Sequence, residues 1–304
     1  MRILVCGATG VVGRRAIPLL VSDGHTVTAA VRKPVPDFGK AGVKSVAIDL
    51  FDFDALRRAV DGQDAVVNLA THMPSSMWKT FFRSAWKMND RIRSVGVANL
   101  VDAALAAGTP TLVQESFAPA YPDGGDRWIH EDTPLAPTAY NRTLLDAEAS
   151  VDRFAAGGGT GVVLRFAAFY GPDAMQVRAY VDSLRRGWAP LPGGPQRYIS
   201  SVAHDDAATA VAAALRLPTG AYTVADDEPV RRGEFFGSLA QALGVAPPRF
   251  MPQWITPLFG SLGELMARSL RLSNDKLKKM TRWAPRYPSV REGWPATLAQ
   301  MKND

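Results

Sequence analysis

Three glycines near the amino end constrain this chain more than any other feature. An apolar run from Ile3 to Cys6 reads as a buried parallel strand, breaks at Gly7, and meets glycine again at Gly10 and Gly13. A helical pattern follows through Ile17, Leu19, Leu20 and Val21. Glycine serves where the backbone must take φ > 0, or where a Cβ would hold a ligand away from the chain. A helix that starts at such a turn presents free N–H groups and the positive end of its dipole, which together attract an anion. The spacing Gly-x-x-Gly-x-x-Gly therefore predicts a dinucleotide phosphate site built from Gly7, Thr9, Gly10, Val11, Val12 and Gly13. A strand–turn–helix with only a structural role is the competing reading.

The chain has 304 residues, 47% hydrophobic and 21% charged, the proportions of a globular protein with a large core. No apolar run reaches membrane-spanning length, and Met1 leads directly into the first strand, so a soluble cytoplasmic protein is expected. The single cysteine, Cys6, agrees with a reducing compartment and reads as a core residue. The net charge of +6 comes from scattered Lys and Arg with no nucleic-acid motif. It fits an anionic cofactor or an acidic small molecule better than nucleic acid or a membrane.

Strand and helix signals then alternate. Thr26 to Val31 reads as a second strand, 43–48 as a third, 64–69 as a fourth, 111–114 as a fifth and 161–166 as a sixth. Helices are expected at 53–60, 87–107 and 140–154. This rhythm predicts an α/β fold, a doubly wound parallel sheet with ligands at the strands' carboxyl ends. After Tyr170 the rhythm breaks. A helix at 203–217 and a strand at 221–224 suggest a segment (200–226) that returns to a dinucleotide-binding domain of residues 1–170. Residues 171–199 and 227–304 read as a smaller, mostly helical substrate-binding cap. The second strand ends Val31-Arg32-Lys33, with Arg and no acid where the adenosine ribose lies. Arg32 suits a 2′-phosphate and favours NADP(H) over NAD(H). Asp49 either bonds the adenine amino group or caps the turn into the helix at 53–60.

Gly7-Ala-Thr-Gly10-Val-Val-Gly13, Asn68-Leu-Ala70, Asn89, Tyr140, Arg165-Phe166 with Tyr170-Gly171-Pro172, Val202 to Ala207 and the tail from Ser273 to Pro285 together resemble the extended short-chain dehydrogenase/reductases. These are also called the NAD-dependent epimerase/dehydratase family. The resemblance covers essentially the whole chain. It implies a nicotinamide cofactor over Leu50, Leu69, Ala70, Thr71 and Phe166, and a small-molecule substrate between the two parts. It also raises a homodimer, because in many members helices matching 87–107 and 140–154 form the dimer face.

The sequence departs from that pattern at the chemistry. Members usually carry Tyr-x-x-x-Lys, whose Tyr moves a proton to or from a substrate oxygen with the Lys lowering its pKa. Tyr140-Asn-Arg-Thr-Leu144 keeps the Tyr and has Leu for Lys. A phenol without that help stays protonated at neutral pH. The usual active-site hydroxyl falls on Phe117, with Ser116 one residue early. Tyr140, Ser116, Glu115 and His72 are the catalytic candidates. His72 is an acid or base or else a polar loop residue, Glu115 a site group or else a buried structural carboxylate, and Asn89 an anchor for the loop. In the cap, Arg197 is a candidate for a substrate anion. Phe250, Met251, Trp254, Phe259, Leu262 and Met266 either wall an apolar pocket or pack as core. His204-Asp205-Asp206 does not read as a metal site, since adjacent side chains seldom converge; a helix cap by Asp205 or Asp206 explains it better. Lys276, Lys278 and Lys279 read as a solvated helix face.

The expected function is that of an NADP(H)-dependent enzyme acting on a small carbonyl or hydroxyl compound, as a reductase or as an epimerase or dehydratase that recycles its cofactor. An NADP(H)-binding sensor without turnover and a redox-neutral lyase or cyclase are the alternatives.

Overall fold

The computed structural model describes residues 1–33, 38–39, 41–74, 76, 78–252, 254, 256 and 260–301. Among these, seven strands form one parallel sheet: β1 (Arg2–Cys6), β2 (Thr26–Val31), β3 (Lys44–Ala47), β4 (Ala65–Asn68), β5 (Thr111–Phe117), β6 (Thr160–Phe166) and β7 (Gly220–Val224), in the spatial order β7-β6-β5-β4-β1-β2-β3. β1 and β4 are buried on both faces, as parallel strands covered by helices must be. Their alternate residues feed two cores. Ile3 and Val5 pack toward α1 (Gly13–Ser22), while Leu4 and Cys6 pack toward α2 (Phe53–Val60). Burial pushes the Cys6 thiol up to about 12, so it is an inert core group.

The segment expected as one helix at 87–107 is in three parts. α3 (Lys87–Arg91) passes through a π-helical turn (Ile92–Gly96) into α4 (Val97–Ala106). The helix expected from Tyr140 begins later, as α5 (Leu144–Ala156), because residues 138–141 form a turn. In that turn Asn141 Oδ1 accepts from the Thr138 amide at 2.8 Å. The helix α2 is capped by Asp52, whose Oδ1 accepts from the Ala55 amide at 2.9 Å. Asp49 accepts from the Phe51 amide at 3.0 Å and so closes the turn that leads into this helix.

The remaining chain is largely helical: α6 (Met175–Arg185), α7 (His204–Ala214), α8 (Arg232–Leu243), α9 (Gly260–Ala267), α10 (Asp275–Thr281) and α11 (Val290–Met301). α7 and β7 belong to the main sheet's core, while α6, α8 and α11 surround a second core of Tyr170, Phe235, Phe236 and Trp294. Neither acid expected to cap α7 does so. Asp205 accepts from Arg15 at 2.8 Å, and Asp206 accepts from the amides of Arg286 and Tyr287, tying the carboxyl-terminal chain to this helix. Of the three lysines of α10, Lys279 is solvated as expected, while the other two are held by contacts. Lys276 reaches the Ala221 carbonyl on β7, and Lys278 pairs with Asp227 at 2.8 Å. No helix among the described residues is long and apolar enough to cross a membrane.

Candidate active site

In an open parallel sheet a ligand lies at the strands' carboxyl ends, where the strand order reverses. Here that point falls between β1 and β4, and the loop after β1 is the glycine-rich one. Gly7 has φ +76°, and a Cβ there would fall 2.5 Å from the Leu69 carbonyl group. A Cβ on Gly13 would fall 2.3 Å from the Gly7 oxygen. These two glycines are required by the close approach of β1, β4 and α1. Gly10 differs: it is exposed with Thr9, and a Cβ there would meet only the Gly7 oxygen, at 3.2 Å. The bare backbone at Gly10 therefore faces the space in front of the α1 amino end, where Val11 is half-buried and Val12 buried. This cradle fits a pyrophosphate.

The Leu69 amide donates to the Cys6 carbonyl at 2.9 Å, and the Ala70 amide donates to Asn68 Oδ1 at 3.2 Å. Thr71 and His72 beyond them are exposed. The His72 amide donates to Asn89 Oδ1 at 3.0 Å, so the fully buried Asn89 anchors this loop. Arg32 and Asp49 are exposed beyond the ends of β2 and β3, and Leu50 is half-buried against Gly96 of the π-helical turn. Phe166 closes β6 as a buried ring against Phe169.

Three of the four catalytic candidates are engaged by other groups of the chain. The Tyr140 hydroxyl donates to the Phe81 carbonyl at 2.9 Å, with the Trp86 ring edge-on beside it. Leu144 is fully buried. Ser116 corrects the sequence reading most plainly, because its buried hydroxyl donates to Glu148 Oε1 at 2.6 Å and is not open to a substrate. Glu148 is also held by Arg165, at 2.7 and 3.1 Å, and Arg165 bonds the Tyr121 hydroxyl at 2.7 Å. That buried cluster was half visible in the sequence as Arg165, while Glu148 carried no motif.

Glu115 is paired with Arg93, a buried residue of the π-helical turn that the sequence reading did not single out. The signal that could have found it is a lone arginine on the apolar side of an otherwise amphipathic helix. Arg197 pairs with Asp123 on a groove of about 690 Å³, where Arg268, Glu264, Ala136 and Gly193 also contribute walls. Of the apolar wall residues, Leu262 is buried, Phe250 packs on Phe236, and Met266 packs against the second core. Trp254 is 74% exposed. Phe259 lies outside the described residues. No group of His, Cys, Asp or Glu among the described residues could hold a metal.

Residues 3–222 match the model of the NAD dependent epimerase/dehydratase family. A 3-diazoavenalumate denitrifying reductase from a Streptomyces species is 34% identical, covering 96% of this chain and 99% of the relative. The fold is shared with the UDP-glucose 4-epimerase of Thermus thermophilus solved with NAD (TM-score 0.78, 24% identity, 99% of each chain). It is also shared with the human epimerase family protein SDR39U1 solved with NADPH (TM-score 0.77, 19% identity, 100% of each chain). The chain belongs to the NAD-dependent epimerase/dehydratase family of short-chain dehydrogenase/reductases, NAD(P)-binding enzymes of oxidoreductase or epimerase type.

Proposed function

We propose that this protein is an NADP(H)-dependent reductase whose substrate takes hydride without drawing a proton from a tyrosine–lysine pair. The observation that carries this reading is Leu144, fully buried where the lysine would be, together with a Tyr140 hydroxyl that donates to a backbone carbonyl. The Ser116 hydroxyl donates a hydrogen bond to Glu148, and Phe117 stands at the position of the usual active-site hydroxyl. When bound, the cofactor supplies a hydride. Gly7, Gly10 and Gly13 with the α1 amino end would hold its pyrophosphate, and Arg32 would take a 2′-phosphate through a charge-assisted contact.

A carbonyl that accepts hydride also needs a proton at oxygen. An aryl diazonium does not: hydride adds to the terminal nitrogen, dinitrogen leaves, and the hydrogen ends on the ring carbon. Two electrons reduce the substrate and no acid is consumed. The near-full-length likeness to a reductase acting on a diazo compound supports this substrate class for a site short of proton donors. It also favours turnover over a sensor or a redox-neutral lyase. Arg197 on the groove, and the net charge of +6, support an anionic group elsewhere on the substrate.

The test is to mix the purified protein and NADPH with aromatic diazonium carboxylates, and separately with ketones. NADPH oxidation and dinitrogen release are followed against a protein-free control. Equal amounts of NADP⁺ and dinitrogen are expected with the diazo compounds, changed by less than about twofold in Tyr140→Phe. Turnover of ketones alone, abolished by Tyr140→Phe, overturns the reading.

A further inference from the structure

Two buried ion pairs sit at the carboxyl end of β5, and they are built differently. Glu148 is closed off, with Ser116 at 2.6 Å and Arg165 at 2.7 and 3.1 Å occupying both its oxygens. Among the described residues the Glu115 carboxylate receives only Arg93, in three contacts of 3.2–3.3 Å, longer than charge-assisted bonds usually run. Glu115 and Phe117 are the partly exposed residues of β5, with buried Ser116 between them, and alternate strand residues share a face, so the two lie on the same side of the sheet. In register, Glu115 follows Gln114, the partner of Asn68, and so stands level with the Leu69–Thr71 loop over which a cofactor would cross. Arg93 is presented by the π-helical turn, a local distortion that often marks a functional position. One turn before it, Asn89 fixes the His72 amide.

A dinucleotide whose pyrophosphate rests on Gly10 must send one half over β2, toward Arg32, and the other over β4 and β5. We propose that Glu115, held in place by Arg93, is the charge that sets the balance between oxidised and reduced nicotinamide at this site. The oxidised ring carries a positive charge and the reduced ring none. A carboxylate in a partly desolvated position therefore favours the oxidised form, and favours hydride donation with it. Arg93 keeps the carboxylate oriented while no nucleotide is present. The role suits a site that lacks a proton relay, because what such a site can stabilise is the charge left on the cofactor. It rests on the reading that a pyridine nucleotide binds at the glycine-rich loop.

The experiment compares dissociation constants for NADP⁺ and NADPH, with NAD⁺ and NADH beside them, in the wild type, Glu115→Gln, Glu115→Asp and Arg93→Met. Thermal unfolding checks that each variant is folded. Glu115→Gln should weaken the oxidised form relative to the reduced form by about tenfold. Glu115→Asp should keep the ratio within about threefold of wild type. Arg93→Met, which leaves the carboxylate uncompensated, should move the ratio at least about threefold the other way. If Glu115→Gln does not fold, the Arg93→Met ratio alone decides. A ratio unchanged within about twofold in every folded variant, or equal weakening of both forms, overturns the proposal while leaving nucleotide binding intact. A wild-type protein that binds neither nucleotide overturns that reading and this proposal together.

Discussion

The Tyr140 hydroxyl donates to the Phe81 carbonyl at 2.9 Å, so the residue expected to face a substrate is fastened to the 78–86 segment. The same segment is tied internally by Trp86 Nε1 to the Thr80 carbonyl at 2.9 Å, and outward by Arg83 to Asp90 at 2.7 Å. Asp90 in turn accepts from Thr143, the residue before Leu144. Tyr140 is thus one fastening in a chain of contacts between the loop, α3 and the start of α5. Tyr140→Phe should cost about 1 kcal/mol of stability, the usual net worth of one such bond. Amide exchange across 78–86 should quicken, while kcat stays within about twofold. A hundredfold fall in kcat with unchanged exchange would instead restore the phenol as proton donor.

The glycines of the opening loop should separate into two kinds on mutation. Gly13→Ala drives a Cβ to 2.3 Å from the Gly7 oxygen, backbone against backbone, and should destabilise by about 1–3 kcal/mol or more. Gly10→Ala meets little besides the loop itself and should leave the melting temperature nearly unchanged. Its methyl group would occupy the space in front of the α1 amino end, so nucleotide affinity should fall by about tenfold. Melting curves and nucleotide titrations on the same samples distinguish the two. Equal melting temperatures for both variants would show that the two glycines are not separated in this way.

Much of this was legible because the opening strand, the glycine spacing and the alternation through Phe166 each obey a short-range rule. The carboxyl ends of the strands were not, because what a side chain does there depends on which distant partner reaches it. Ser116 looked like a free hydroxyl until Glu148, on α5, was brought against it. Asp205 and Asp206 looked like caps because local rules favour a cap, yet Arg15 and the amides of residues 286–287 compete for them across the fold. Arg93 was overlooked because its partner, Glu115, is 22 residues away.

Arg32 gives a selective test of cofactor preference. It is exposed at the end of β2, where a guanidinium can form a paired contact with a ribose phosphate at little structural cost. Arg32→Glu should therefore leave stability nearly unchanged and weaken NADPH binding on the order of tenfold to a hundredfold. NADH binding should stay the same or improve, because an acid can accept from the free 2′-hydroxyl. Parallel loss of both nucleotides would place Arg32 outside the ribose pocket.

The pH dependence of folding should carry the mark of His204. Its ring is buried against Phe169 and over Gly171, where a Cβ would fall 2.5 Å from Nδ1. Burial, helped by the nearby Arg15, pulls its pKa from 6.5 down to about 4. Between those values the unfolded chain binds a proton that the folded chain refuses. The stability is present in full above about 6.5 and is lost as pH falls toward 4, by up to about 3 kcal/mol. Asp226 and Asp206 are raised chiefly by burial and act in the opposite sense, gaining from protonation in the folded state. Wild-type unfolding alone would blend these effects, so the informative quantity is a difference. Denaturant unfolding of the wild type and of His204→Gln at several pH values should give curves that diverge steadily below about 6.5, with the wild type falling faster. Curves that run parallel to pH 4 would mean that the imidazole accepts its proton without disturbing the fold.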